Sequence, residues 1–93
     1  MDIKKYGDLS ENEKNIIDRL ISGMRKGNHF FKAKYIGDEI GLSPKKVGYR
    51  LSDLSNYRVE MDSGGVIIIE RYSYTKTTNW RVNILERSCQ PMN

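Results

Sequence analysis

KAKYIGDEIGLSPKKVGYRLSDL, residues 32–54, has the pattern of two short helices joined by a tight turn. Upstream of the turn, Ile36 and Ile40 are four residues apart and share one helical face. Gly41 then supplies the permissive backbone that a helix C-terminus needs. The pattern predicts a first helix that ends at Gly41, and the short link after it predicts that the next helix crosses the first steeply.

The second predicted helix begins at Pro44. Ser43 can cap its first free N–H groups, and proline suits the first turn because no N–H partner is required there. Apolar residues recur at i, i+4 and i+7 and form the buried stripe: Val47, Leu51 and Leu54. The outward face carries Lys45, Lys46, Tyr49, Ser52 and Asp53. We therefore predict a helix-turn-helix whose second helix, residues 44–54, stands out from the body.

A further helix precedes this pair and covers its apolar faces. Ser10 and Glu13 match the S-x-x-E capping box, and an apolar face follows them: Ile16, Ile17, Leu20, Ile21 and Met24. Gly27 is predicted to end this helix. Residues 1–9 are mixed and polar, so we expect a loose lead-in there, and residues 28–31 fit a brief strand or an extended link.

After the second motif helix the chain changes period. Residues 62–65, DSGG, are a strong turn signal, and residues 66–69, VIII, are apolar on both faces, which fits a central strand. The outer face of this strand needs cover from long neighbouring side chains or from a second subunit, which leaves a homodimer open. Residues 79–84 alternate, with Trp80 on the core side. The two strands are predicted to form a β-hairpin. Residues 85–93 are predicted to be a flexible tail.

This order of elements is that of a winged helix. The predicted fold is α+β: three helices followed by a small antiparallel sheet with a β-hairpin wing, over residues 10–84. The loop near residues 73–77 combines cations, a ring and hydroxyls, a mixture suited to the sugar–phosphate backbone or a minor groove. An ordinary solvated hairpin tip explains the same composition equally well.

Composition limits the classes of function. The 93 residues carry a net charge of +4, which leans toward polyanions. No apolar run approaches the roughly 18 residues of a membrane span, and the amino terminus lacks a signal-peptide core, so a cytoplasmic protein is expected. Cys89 is the single cysteine, so no disulfide is expected, and its distance in sequence from His29 argues against a zinc site. No other cofactor is expected. No catalytic constellation is recognisable, so we expect neither an enzyme nor a small-molecule ligand.

Three blocks of the chain carry a resemblance: FKAKYI at residues 31–36, GLSPKKVG at residues 41–48 and TTNWRV at residues 77–82. Over about residues 10–84 the chain resembles a family of small archaeal winged-helix proteins. The resemblance implies this fold, an archaeal source and DNA binding, without a target sequence. Gly37 departs from the pattern, because helix-turn-helix proteins usually carry Ala at this inward position. Loss of the methyl group is expected to loosen the first motif helix by up to about 1 kcal/mol.

The leading hypothesis is a transcriptional regulator that binds double-stranded DNA, with residues 44–54 in the major groove. The candidate contact residues are Lys32, Lys34, Ser43, Lys45, Lys46, Tyr49, Arg50, Ser52, Arg71, Tyr74 and Lys76. Acidic residues near this face would repel phosphates, so a DNA reader is expected to turn them away: Asp38, Glu39 and Asp53.

Two other hypotheses remain open. The first is a protein-interaction winged helix within a transcription, replication or repair assembly, which would dock through the exposed helix or through residues 66–69. The second is single-stranded nucleic acid binding, with stacking on Tyr49, Tyr74 and Trp80.

Overall fold

The computed structural model describes residues 2–72 and 79–85. Within these residues the chain forms three α-helices and a five-stranded sheet, which confirms the α+β class. In chain order the elements are β1 (Asp2–Lys5), α1 (Glu11–Arg25), β2 (Phe30–Lys32), α2 (Ala33–Ile40), α3 (Pro44–Leu54), β3 (Tyr57–Glu60), β4 (Val66–Arg71) and β5 (Asn79–Leu85). A 3-10 turn, Tyr6–Asp8, lies between β1 and α1.

The predicted start of α1 is confirmed by its capping box. The Ser10 hydroxyl accepts from the Glu13 N–H at 3.3 Å, and the Glu13 carboxylate accepts from the Ser10 N–H at 3.0 Å. Each of these bonds satisfies an N–H group that has no partner within the helix. The apolar face that follows is buried at Ile16, Ile17 and Leu20, and it forms one cluster with the other two helices and the sheet.

The turn between α2 and α3 forms as its residues predict. Gly41 has a φ of 80°, and the Leu42 N–H donates to the Gly37 carbonyl at 3.0 Å, which closes the end of α2. The Ser43 hydroxyl accepts from the Lys46 N–H at 3.2 Å and so caps α3, whose first residue is Pro44. The stripe of Val47, Leu51 and Leu54 is fully buried, so the opposite side of α3 faces outward.

The sheet differs from the prediction in extent and in order. Its strand order is β1-β3-β4-β5-β2, β1 pairs parallel with β3, and the other pairs are antiparallel. It is therefore a mixed sheet that begins before the helices, rather than a small antiparallel sheet that follows them. The expectation of a strand near residues 28–31 is met by β2, and β4 is the central strand, with Ile67 and Ile69 buried.

The loose lead-in predicted for residues 1–9 is wrong. Residues 2–5 form β1, Leu9 belongs to the core, and the Lys4 ammonium lies 4.7 Å from the centre of the Tyr57 ring. The physical reason is that β3 would otherwise expose a row of unpaired backbone groups, and β1 satisfies them with bonds that need no apolar pattern.

Helices cover one face of the sheet, and no element of residues 2–72 and 79–85 covers the other face. The inner face contributes Val59, Ile67, Ile69, Trp80 and Val82 to the core. On the outer face Val66 and Ile68 are half-buried, whereas Ile3, Phe30, Tyr72 and Leu85 are exposed. Residues 73–78, which contain most of the predicted wing loop, and residues 86–93 of the predicted tail lie outside the described residues. No helix in residues 2–72 and 79–85 is long and apolar enough to cross a membrane.

Candidate nucleic-acid interface

The outward side of α3 forms a ridge of exposed side chains. Lys45 and Tyr49 are one helical turn apart on this side, and Tyr49 is 73% exposed. Lys46 is also exposed, next to the ridge. These three residues were predicted to face outward, and the structure places them so, because the buried stripe on the opposite side fixes the rotation of the helix.

One flank of the ridge borders a groove that we name the hairpin-side groove. It encloses about 490 Å³ between the first turn of α2, α3 and the loop end of the β4–β5 pair. Its lining residues are Lys32, Ala33, Lys34, Tyr35, Pro44, Gly48, Arg71 and Trp80. The described lining residues include three cations and no carboxylate, so the groove favours an anionic ligand. It brings together three of the predicted contact residues, Lys32, Lys34 and Arg71.

Arg71 is held in a defined position at this groove. It lies in β4 opposite Trp80 of β5, and its guanidinium carbon is 5.3 Å from the centre of the Trp80 ring. Its Nη2 also donates to the Ser52 hydroxyl of α3 at 3.5 Å. The cation is thereby oriented before any ligand arrives, and its side chain loses less freedom on binding. Ser52 therefore orients Arg71 across the groove.

The other flank of the ridge borders a second groove of about 440 Å³, the α1-side groove, lined by Asn12, Leu42, Lys45, Lys46, Tyr49 and Arg50. The Arg50 guanidinium is 3.9 Å from the carboxylate of Glu13, whose side chain is 6% exposed. Part of the Arg50 charge is thus balanced by α1. This pairing makes Arg50 a weaker candidate for a phosphate contact than its position in the sequence indicates.

Two of the three acids that would repel phosphates are engaged by cations. Asp53 lies 3.9 Å from the Lys4 ammonium, and Glu39 pairs with the Arg19 guanidinium at 2.9 Å. These pairs draw their carboxylates toward β1 and α1. Asp38 is exposed.

The remaining predicted site residues divide into three groups. Ser43 uses its hydroxyl to cap α3, so it positions the helix. Trp80 is 3% exposed, so its ring is part of the core and gives no stacking platform. Tyr74 and Lys76 lie outside the described residues.

Sequence reasoning missed four groove residues, Ala33, Tyr35, Pro44 and Gly48. Tyr35 is 61% exposed, and Pro44 and Gly48 lie four residues apart on α3, on the side between the ridge and the buried stripe. The helical spacing of Pro44 and Gly48 was a usable signal. The approach of α2 and β4 to that side was not visible in the sequence.

The part of the chain that the structure describes contains no cluster of three or more His, Cys, Asp or Glu residues that could hold a metal ion. No curated protein and no solved structure matches the chain. A family model described as a domain of unknown function, DUF7123, matches residues 1–84. Since this match spans most of the 93 residues, the chain belongs to the DUF7123 family.

Proposed function

We propose that the protein is a winged-helix transcriptional regulator that binds double-stranded DNA. In this proposal α3 lies in the major groove and the β4–β5 hairpin is the wing. The observation that carries the proposal is the hairpin-side groove, where Lys32, Lys34 and Arg71 converge beside the exposed ridge of α3 and none of the described lining residues is a carboxylate. Such a cationic groove next to a protruding helix suits a phosphate backbone next to an open groove of the duplex.

The dimensions of α3 fit the role. A helix with its side chains is about 10–12 Å across, and the major groove of B-DNA is about 12 Å wide. Lys45 and Tyr49 on the ridge would face base edges, and Lys46 would face a nearby phosphate. Lys can donate to the acceptors of guanine, and the tyrosine ring offers an apolar surface to a thymine methyl group.

A salt series tests the proposal. We would measure the affinity of the wild type for a fluorescent mixed-sequence duplex at increasing salt, together with a Lys45→Ala/Lys46→Ala variant. The wild type should lose affinity steeply with salt. The variant should bind more weakly, and its slope should be shallower by about 0.9 for each phosphate that it no longer neutralises.

The control is a Lys5→Ala/Arg25→Ala variant, which has the same net charge as the test variant. Both control positions are exposed, and neither lines the hairpin-side groove or the α1-side groove. A control that retains wild-type affinity would assign binding to α3. Equal losses in both variants would mean that only net charge matters, and no binding at low salt would refute the proposal.

A second candidate function is protein docking through the outer face of the sheet. Ile3, Phe30, Tyr72 and Leu85 are each between 48% and 62% exposed there, and the Phe30 and Tyr72 rings are 5.0 Å apart. Exposed apolar surface of this kind marks interaction sites, including contacts between two copies of a chain. Sedimentation of the wild type and of a Phe30→Ser/Leu85→Ser variant tests self-association. If the wild type is a monomer over the whole concentration range, the homodimer hypothesis is refuted.

A further inference from the structure

Among residues 2–72 and 79–85, no packing contact explains Gly48. It lies in the middle of α3, where glycine costs stability relative to alanine. A Cβ at this position would meet only the Ala33 Cβ, at 4.0 Å, which is an ordinary contact distance. Its φ is not positive either, so no backbone conformation requires glycine. The core and the backbone would therefore both accept a side chain here.

The surroundings of Gly48 indicate what the missing side chain leaves room for. Gly48 lines the hairpin-side groove together with Pro44 and Ala33, so this part of the wall is formed by small residues and lies close to the backbone. The cations Lys32, Lys34 and Arg71 line the same groove. An extended polyanion could thus approach the α3 backbone closely while its charges meet cations on the neighbouring elements.

We propose that the hairpin-side groove seats the sugar–phosphate backbone of one DNA strand, and that Gly48 is the point where this strand comes closest to α3. The inference rests on the proposed function, because it specifies how the same surface holds the duplex. Arg71, oriented by Trp80 and Ser52, supplies the fixed cation for a phosphate of this strand.

The test fills the groove while it preserves the helix. Gly48→Leu places a bulky side chain in the groove, and leucine favours helix more than glycine does, so its melting temperature should equal or exceed that of the wild type. Its affinity for the mixed-sequence duplex should fall by about tenfold or more, the size expected when a backbone seat is blocked. Gly48→Ala should bind more weakly than the wild type but more tightly than Gly48→Leu, because its methyl group takes up only part of the space that the strand needs.

Ser22→Leu is the matched control, because it adds the same side chain at an exposed position of α1 that lines neither of the two grooves beside the ridge. Its affinity should equal that of the wild type. Arg71→Met retains a long side chain over Trp80 and removes the cation, and its salt slope should be shallower by about 0.9.

The outcomes separate this inference from the proposed function. If the wild type does not bind the duplex, the proposed function itself fails. If the wild type binds and a folded Gly48→Leu variant binds equally well, the strand does not lie in this groove, and the proposed function stands. If Gly48→Leu melts below the wild type, Gly48→Gln replaces it, since its flexible polar side chain fills the same space, and the same affinity criterion decides.

Discussion

Single glycines in the described helices differ in what surrounds them. A Cβ at Gly23 would lie 2.5 Å from the Phe31 ring, and a Cβ at Gly37 would collide with the Leu42 carbonyl oxygen. At Gly48 the space is open. The same residue type therefore permits close packing at two positions and leaves a groove at the third.

Gly37 shows why the sequence alone misjudges such positions. Compared with the helix-turn-helix pattern, which usually has Ala at this position, Gly37 looks like a lost methyl group that loosens α2. In the structure it is the residue over which the turn backbone closes, because the Leu42 N–H donates to the Gly37 carbonyl and the Leu42 carbonyl approaches the Gly37 Cα. The interpretation of Gly37 as a defect was wrong, and the reason is a backbone contact that no residue pattern encodes.

We predict that Gly37→Ala destabilises the protein although alanine favours helix. The added methyl group meets a backbone atom that cannot move without opening the turn, and overpacking of this kind costs about 1–3 kcal/mol of the free energy of unfolding. Gly48→Ala is the matched control and should raise that free energy by up to about 1 kcal/mol. Urea denaturation measures both. A Gly37→Ala variant as stable as Gly48→Ala would contradict the close approach of the turn.

The ends of the helices were predicted because they are stabilised by interactions between residues that are close in sequence. The capping box at Ser10, the turn at Gly41 and the cap at Ser43 each depend on residues within a few positions of one another, and each was predicted. Strand β1 was missed because Asp2–Lys5 has one apolar residue and is held by backbone pairing with residues 57–60, far along the chain.

In the candidate site, too, the features formed by residues close in sequence were predicted, and those formed by residues far apart were missed. The ridge on α3 was predicted, because one helical period determines which side chains face outward. The hairpin-side groove was not, because it is assembled from α2, α3, β4 and β5. Arg50 was predicted to add backbone contacts beside α3, yet Glu13 of a different helix balances part of its charge.

A hydrogen bond between Tyr6 and α1 predicts how the stability of the fold depends on pH. The Tyr6 hydroxyl donates to the Asp18 carboxylate of α1 at 2.7 Å. This bond, together with desolvation, raises the pKa of Tyr6 from 10.0 to about 12. Since the folded-state pKa lies above the unfolded value, the stabilisation is fully present below pH 10.0 and is lost as the pH rises through about 12.

The contribution of this hydrogen bond can be measured as the difference in the free energy of unfolding between the wild type and Tyr6→Phe, between about pH 9 and 12. The wild type should be the more stable at the lower end, and the difference should shrink toward the upper end. Titration of the tyrosine absorbance should show one group that ionises late in the wild type and is missing in the variant. A pH-independent difference would mean that the Tyr6 ring, and not its hydroxyl, makes the contribution.

Across the whole molecule, ion pairs arrange the charge around α3. The net charge of +4 alone says little about where an anionic ligand would bind, because it is the difference between 16 basic and 12 acidic residues. What matters more is that Lys4 pairs with Asp53 and Arg19 with Glu39. By contrast, the described linings of the hairpin-side groove, with Lys32 and Lys34, and of the α1-side groove, with Lys45, contain no acidic residue. Strand β1, at the edge of the sheet, thus affects the field at α3 by holding Lys4 beside Asp53.

If the protein binds DNA as proposed, this arrangement predicts an effect of a distant lysine on its affinity. Lys4→Ala removes one positive charge and also leaves Asp53 without its cation, so affinity for the duplex should fall by about two- to fivefold at low salt, the size of an exposed charge interaction. Lys5→Ala removes the same charge from the opposite face of β1 and should reduce the affinity for the duplex by less than Lys4→Ala does. Adding Asp53→Asn to Lys4→Ala should restore affinity, because the repelling carboxylate is then gone. If Lys4→Ala and Lys5→Ala weaken binding equally, and Asp53→Asn adds the same factor to each, the ion pair has no part in shaping the surface.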